Sequence, residues 1–280
     1  MSKTIVITGA TDGLGLGAAR YFIQQGHTLL LVGRNEAKLD TVKSAFSAAQ
    51  QAHIYCYCAD LSSVKQTREL GLQLLSLHPT IDVLINNAGG VFSSFKLTEE
   101  RLERTIALNH FSYVVLTSVL LPALKASKAA RIINVSSNSH YSGKINLASF
   151  TQNKGYNLLK AYEQSKLANM LYTYALAARL KADGITVNAL SPKRVATAAG
   201  KKGTAWWTKL IWQLLVLYKS VPLEEAVATY AYLAESDEVA TTSGAYFESC
   251  KPKIPSRLAT DHVLAQQLWD YTEQMLDALV

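Results

Sequence analysis

The chain has 280 residues, 49% hydrophobic and 18% charged, which is typical of a globular protein and leaves no room for a disordered or fibrous class. Its net charge of +7 is uneven, because six basic residues and no acidic one lie within residues 193–219. The nearly neutral remainder argues against a nucleic-acid-binding face, and no repeat divides the chain.

Neither a membrane span nor a disulfide framework is expected. No apolar run approaches the roughly 18 residues of a spanning helix, and a strand-like run starts at Lys3 without a preceding signal peptide. Three cysteines cannot build a disulfide framework. Cys56 and Cys58 lack a second ligand pair, so we interpret them as packing residues rather than metal ligands. A cytoplasmic protein without a metal site is predicted.

The first element is followed by a glycine-rich turn. Residues 4–7 form an apolar β-branched run, which predicts a buried parallel strand. Residues 8–17 then read TGATDGLGLG and lead into a helical segment. Such glycines let the backbone approach a pyrophosphate at a helix N-terminus. A simple tight turn is the alternative, but it seldom needs three glycines in seven residues, so a dinucleotide site is favoured.

The second strand indicates which dinucleotide. Residues 28–32 predict a strand that ends at Gly33 and Arg34. An acidic residue there would bind a ribose 2′-hydroxyl, whereas an arginine would meet a 2′-phosphate. The missing acid and the arginine together favour NADP(H) over NAD(H), with a solvated loop arginine as the alternative.

The middle of the chain continues the alternation of helices and strands. Asp60 is expected to cap a helix that starts near Ser63, and Thr98 to cap the long helical region after it. The predicted elements are a helix over 36–48, a strand over 54–58, a helix over 64–77, a strand over 82–85 and a strand over 131–135.

Two polar residues interrupt the long helical region. A buried Asn109 is costly unless its amide is hydrogen-bonded, which marks the position as special. His110 has no acidic neighbour in the sequence, and we interpret it as structural.

Tyr162 and Lys166 form the candidate catalytic pair. Within a helix over 161–180, residues four apart share one face, so the ammonium can lie near the phenol. A cation there favours phenolate and predicts a tyrosine pKa below its usual value of about 10. A half-buried aromatic beside a solvated lysine is the alternative. The helix has too many apolar positions for one stripe, which predicts burial against the sheet and another subunit.

The C-terminal part completes the sheet and its cover. The predicted elements are a strand over 185–190, a helix over 223–234, a strand over 245–247 and a helix from about 261. Residues 201–219 are basic and rich in tryptophan but too short to span a bilayer. Two interpretations stay open: a buried lid packed on its own domain, or a substrate lid with peripheral membrane contact.

Together these motifs resemble the short-chain dehydrogenase/reductase family along nearly the whole chain. The glycine spacing at 9–15, Asn-Asn-Ala-Gly at 86–89 and Tyr-x-x-x-Lys at 162–166 carry the resemblance. Ser137 lies 25 residues before the tyrosine, and this long gap, with an insert over 141–158, is similar to the retinol dehydrogenase-like branch. The resemblance implies one α/β domain over 1–280: a doubly wound Rossmann domain with a mostly parallel sheet of about seven strands, helices on both faces and a substrate lid at about 196–220.

The resemblance also implies an activity. We expect NADP(H)-dependent interconversion of an aldehyde or ketone and an alcohol on a small, lipophilic substrate. The alternatives are a carbon–carbon double-bond reductase related to protochlorophyllide reductases, and a non-catalytic NADP-binding regulatory protein. Homo-oligomerisation stays open.

The family's roles transfer to matching positions. Tyr162 would exchange the proton, Lys166 would assist it, Ser137 would bind the substrate oxygen, and Asn109 would maintain a proton relay. Asn86 would tie the central strands together. Lys193 replaces a glycine of the family's nicotinamide loop, which puts that loop's geometry in question. The expected cofactor contacts are Gly9, Thr11, Asp12, Gly13, Leu14, Gly15, Arg34, Asp60, Leu61, Asn87, Ala88, Gly89, Asn109, Tyr162, Lys166, Pro192, Val195 and Thr197.

Overall fold

The computed structural model describes residues 2–153, 155–192 and 221–279. Its strands are β1 (Thr4–Thr8), β2 (Thr28–Gly33), β3 (Ile54–Cys58), β4 (Val83–Asn86), β5 (Arg131–Val135), β6 (Thr186–Leu190), β7 (Tyr246–Glu248) and β8 (Lys251–Pro252). They form one sheet in the order β3-β2-β1-β4-β5-β6-β7-β8. All neighbours are parallel except β7 and β8. The short antiparallel β8 is the strand that the expected seven did not include.

Helices cover both faces of this sheet. They are α1 (Gly13–Gln24), α2 (Glu36–Ser44), α3 (Ala48–Gln51), α4 (Val64–Leu77), α5 (Arg104–Ile106), α6 (Ser112–Lys125), α7 (Leu158–Arg179), α8 (Leu223–Glu235) and α9 (His262–Asp277). A π-helical turn (Ala107–Phe111) joins α5 to α6. Short 3₁₀ turns, including Asn138–Tyr141 after β5, complete the connections.

The strand order explains where a ligand can bind. The chain moves outward from β1 to β3 and then returns to β4 on the other side of β1, so the order reverses between β1 and β4. The crevice outside the carboxyl ends of strands at such a reversal is the usual ligand site of open α/β sheets. Alternate residues of β1 point into two cores: Val6 into one, and Ile5 and Ile7 into the other. The predicted doubly wound α/β fold is confirmed.

Two predicted helix boundaries are wrong for local reasons. The helix predicted over 36–48 ends at Ser44, because Ser47 forms a capping box with Gln50 and starts α3. No helix starts at Thr98: Arg101 adopts a left-handed φ of 59°, and the carboxylate of Glu103 instead caps α5.

The cap of α4 and one cysteine also differ from expectation. Ser63, not Asp60, caps α4, because its hydroxyl accepts the hydrogen bond from the Gln66 amide. Asp60 instead binds the amide and hydroxyl of Ser62 at 2.9 and 2.7 Å. Cys58, the last residue of β3, is exposed, so the packing interpretation is wrong for it.

The outer face of α7 is covered by the chain itself. Trp269 of α9 stacks on Tyr172 of α7 with ring centroids 5.7 Å apart. The guanidinium of Arg179 lies 3.9 Å from the centre of the same indole ring. The face of α7 that carries Tyr172 and Arg179 therefore packs against α9.

One helical stretch of the described ranges, Arg104–Lys125, has the length and mean apolar composition of a membrane-spanning helix. The sequence contains no uninterrupted apolar run there, since Asn109 and His110 lie within it. Its most apolar window is 72% buried inside the fold. That burial is what the core helix of an α/β domain requires.

His110 lies in this core and should make the protein sensitive to acid. It is 1% exposed, and burial lowers its pKa to about 4 from 6.5. The unfolded chain therefore takes up a proton below pH 6.5 that the folded chain does not bind until about pH 4, so stability falls over that window. Replacing His110 with Gln should remove about 3 kcal/mol of this loss, since each pKa unit corresponds to about 1.4 kcal/mol.

Denaturant unfolding at pH 4 to 7 measures the effect as the difference between the wild type and His110→Gln. The exposed His53→Gln variant is the matched control and should follow the wild type. If the free energy of unfolding changed with pH in the same way for the wild type and His110→Gln, the buried ring would not titrate in this way.

Candidate functional site

The glycine-rich turn after β1 is closed by contacts with the end of β4. The hydroxyl of Thr8 accepts hydrogen bonds from the amides of Asn87 and Ala88 at 2.8 and 2.9 Å. The side-chain amide of Asn87 donates to the Thr8 carbonyl at 2.7 Å. Tyr230 of α8 donates to the other side of that amide, Asn87 Oδ1, at 3.0 Å. These contacts hold the ends of β1 and β4 together, beside the crevice between them.

Two glycines of the turn have no room for a side chain. Gly9 has a left-handed φ of 68°, and a Cβ there would lie 3.0 Å from the Ala88 backbone. A Cβ on Gly15 would lie 2.3 Å from the Gly9 carbonyl oxygen. Asp12 caps α1 by accepting from the Gly13 amide at 2.8 Å. The glycines thus let the turn pack closely before the N-terminus of α1, where the helix dipole favours an anion.

Asn109 ties the π-helical turn to the end of β4. Its side-chain oxygen accepts from the Gly90 amide at 2.8 Å, and its amide donates to the Gly90 carbonyl at 3.0 Å. The same amide donates to the Ser165 hydroxyl of α7 at 2.9 Å. A fully buried asparagine is therefore satisfied by its neighbours. Gly89 lies beside it, since a Cβ there would be 3.3 Å from Asn109 Oδ1.

Lys166 is a buried amine at the centre of the site. It is 3% exposed, and its Nζ donates to the carbonyl of Val135, the last residue of β5, at 2.9 Å. The same nitrogen lies 5.6 Å from the centre of the Tyr162 ring. Burial lowers the pKa of Lys166 from 10.5 to about 7. A lysine in this position can gain or lose a proton near neutral pH.

The pKa of Tyr162 moves in the direction opposite to the one expected from sequence. Burial raises it above 10, and a hydrogen bond with the Ser137 side chain only partly opposes this rise. The expected lowering by Lys166 is wrong, because Lys166 is itself desolvated and is bonded to Val135. Tyr162 is therefore a neutral phenol, a proton donor, near pH 7.

Serines outside the candidate catalytic set hold this pair in place. Ser136 donates to the Lys166 carbonyl at 2.9 Å, and Ser165 donates to the Tyr162 carbonyl at 2.7 Å. Ser139 places the Ser137 hydroxyl by donating its amide to it at 3.1 Å. Sequence reasoning missed these contacts, and missed Thr8 and Tyr230. A polar residue at a predicted buried position is the signal that could have identified them.

The structure brings the four candidate catalytic residues to one end of the sheet. Ser137 follows β5, Tyr162 and Lys166 lie on α7, and Asn109 connects α7 to Gly90. The candidate cofactor residues after β1 and β4 meet at the Thr8 contacts, with Asn86 just before them. The amide of Asn86 donates to Asn134 Oδ1 at 2.9 Å, so the predicted tie between the central strands exists.

The remaining candidate residues lie farther along the same sheet edge or outside the described residues. Arg34 is exposed after β2, and Asp60 and Leu61 follow β3. Pro192 follows β6, but Val195, Thr197 and Lys193 lie outside the described residues, as does the lid predicted at 196–220. Within the described part of the chain, no group of three or more His, Cys, Asp or Glu side chains is arranged to bind a metal ion.

Comparisons with known proteins agree with this geometry. The profile described as short chain dehydrogenase matches residues 3–207. The chain is 34% identical to short-chain dehydrogenase TIC 32 B, chloroplastic, of Brassica napus, over 99% of this chain and 89% of that protein. It is 35% identical to retinol dehydrogenase 13 of Homo sapiens, over 95% of this chain and 82% of the relative.

A solved structure extends the likeness to the fold. A crystal structure of an uncharacterized protein from Mycobacterium Paratuberculosis matches with a TM-score of 0.77 and 28% identity. The match covers 98% of this chain and 93% of the other. With its glycine turn, its Ser-Tyr-Lys site and relatives that include retinol dehydrogenases, the chain belongs to the short-chain dehydrogenase family of oxidoreductases.

Proposed function

We propose that this protein interconverts a carbonyl compound and an alcohol with NADP(H) as the hydride carrier. The observation that carries the proposal is the geometry of the site, in which the Tyr162 ring lies 5.6 Å from the buried Lys166 amine and its phenol interacts with the Ser137 side chain. A phenol and a hydroxyl that converge in this way can both bind one carbonyl oxygen. The similarity to retinol dehydrogenases supports a lipophilic substrate.

The residues present fit a dinucleotide. Gly9 and Gly15 let the turn pack closely against the end of β4, in front of the N-terminus of α1, where a pyrophosphate could bind. Gly89 leaves space beside Asn109 and Lys166, since a Cβ there would lie 3.6 Å from the Lys166 amine. The glycine turn would therefore hold the phosphates, and Lys166 would bind the nicotinamide ribose.

Two features at the end of β2 support NADP(H). Arg34 is exposed, and among the described residues no carboxylate is paired with it. Gly33 is closely covered, because a Cβ there would lie 2.7 Å from the Thr11 methyl group. An acidic side chain that could bind a ribose 2′-hydroxyl would have to displace Thr11. A guanidinium without a carboxylate partner suits a 2′-phosphate.

The proposed mechanism assigns one role to each residue of the site. A bound nicotinamide supplies or accepts the hydride. In reduction, Tyr162 donates its phenol proton to the carbonyl oxygen, and in oxidation it takes the proton from the alcohol. Ser137 donates a hydrogen bond to the same oxygen and stabilises the negative charge that develops there. Lys166 favours the phenolate left by proton donation when its amine is protonated.

Tyr162→Phe tests the central assignment. The variant keeps the ring and removes only the proton donor, so carbonyl reduction should fall by about 10²-fold to 10⁴-fold, as is typical when a general acid is lost. NADPH binding, followed by fluorescence titration, should stay within about threefold of the wild type because the ring still fills the site.

Tyr174→Phe is the matched control, since it removes a phenol from the same helix that instead contacts His262. Tyr174→Phe should reduce the aldehydes and ketones that the wild type reduces, at the wild-type rate. A fully active Tyr162→Phe variant would contradict the mechanism. Binding of NADPH by the wild type without turnover of any aldehyde, ketone or activated alkene would favour the regulatory alternative, and turnover of alkenes alone would favour the double-bond reductase.

Arg34→Ala tests the cofactor. Loss of a charge-assisted contact with the 2′-phosphate should raise KM for NADPH about tenfold to a hundredfold and leave KM for NADH unchanged. The control Arg20→Ala removes an exposed arginine of α1 and should change neither constant. Equal effects of Arg34→Ala on both cofactors would show that the residue does not select NADP(H).

A further inference from the structure

A second buried histidine, His140, lies three residues after Ser137 and has no role in the mechanism above. It is fully buried. Its Nδ1 lies 2.7 Å from the Ser137 carbonyl oxygen, and the Ser256 amide donates to its Nε2 at 3.1 Å. A carbonyl accepts and an amide N–H donates, so Nδ1 carries the proton and Nε2 accepts. The two contacts together specify one neutral tautomer.

The surroundings of His140 preserve that tautomer. Burial and the positive charge of Lys253 lower its pKa, although the Ser137 carbonyl acts in the opposite direction. The rings of Tyr141 and Tyr246 pack on the imidazole with centroids 4.2 and 5.0 Å away. Glu248 is the acidic residue of this network, and Lys253 binds it at 2.5 Å. The imidazole thus stays an acceptor toward Ser256 near pH 7.

The chain segment after β8, residues 253–256, lies on the turn Asn138–Tyr141. The ammonium of Lys253 donates to Asn138 Oδ1 at 3.2 Å, and the Tyr141 hydroxyl donates to the Ile254 carbonyl. The Ser256 amide makes the contact with His140. Of these three contacts, only the one through His140 continues to Ser137 itself.

We infer that His140 is a positioning residue, which transfers the placement of residues 253–256 to Ser137. The inference deepens the proposed function and rests on it, because the position of Ser137 matters for turnover only if its hydroxyl binds the substrate oxygen. His140 fixes the carbonyl of Ser137, and the next peptide units place the Ser139 amide that holds the Ser137 hydroxyl. A small displacement of a hydroxyl that binds the reacting oxygen lowers the reaction rate strongly.

Ser256→Pro breaks the link without touching the site. Ser256 has φ −63°, which is the angle that proline imposes, so the substitution removes the N–H while it preserves this angle. Ser256→Ala is the matched control, because it keeps the N–H and removes the hydroxyl that caps the Ala259 amide. We expect Ser256→Pro to lower kcat for carbonyl reduction about fivefold with KM for NADPH unchanged, and Ser256→Ala to stay within about twofold of the wild type.

Substitutions of His140 separate its two contacts. In His140→Asn the amide can replace Nδ1 and keep the Ser137 contact, whereas in His140→Gln the amide oxygen can replace Nε2 and keep the Ser256 contact. Both should lower kcat with KM for NADPH unchanged. His140→Asn and Ser256→Pro break the same bond, so their combination should be no slower than either alone. The inference would be overturned if the losses of kcat in His140→Asn and Ser256→Pro multiplied in the combined variant. It would also be overturned if both of these single variants kept the wild-type kcat.

Hydrogen–deuterium exchange gives a readout that does not depend on turnover. Peptides that cover residues 134–142 should exchange faster in Ser256→Pro than in Ser256→Ala, because the turn loses its support. Equal exchange in the two variants overturns the inference whatever their activity. Faster exchange in a protein whose wild type reduces no carbonyl compound would support the link through His140 and contradict the proposed function instead. The two failures are therefore distinguishable.

Discussion

Burial of the Lys166 amine is the constraint on which the rest of the site depends. An isolated ammonium inside a protein is so costly that the group lowers its pKa instead, here to about 7. Its described partner is the carbonyl of Val135, the last residue of β5, which also accepts from the Asn169 side-chain amide at 3.3 Å. The position of α7, and therefore of Tyr162, is thus coupled to the end of a central strand. Ser136 reinforces the coupling from the adjacent position.

A second layer of contacts keeps this arrangement fixed. Asn109 connects the end of β4 to α7, and the π-helical turn places its amide there. Thr8 and Asn87 join β1 to β4 on the side of the glycine turn. The cofactor half and the catalytic half of the crevice are thus linked by hydrogen bonds between buried or half-buried groups. Such networks are effective because an unpaired buried polar group is costly.

Features that depend on neighbours in the sequence could be predicted, and features that depend on packing could not. The apolar runs of β1 and β2 and the glycine spacing at 9–15 predicted the sheet and the turn, since parallel strands and phosphate turns have strong local signatures. The boundary at Thr98 was missed because Arg101 adopts a positive φ in a loop. Helical spacing predicted that Tyr162 and Lys166 are close, but not the direction of the tyrosine pKa, which depends on burial by distant elements.

The packing of α9 on α7 has a consequence for how the stability of this helix face depends on protein concentration. An apolar helix face that a second subunit must cover is protected only above the dissociation constant of the complex, so its stability depends on concentration. Here Trp269 and its neighbours are tethered to the helix they cover, and their effective concentration is set by chain connectivity alone. Dilution leaves that cover in place.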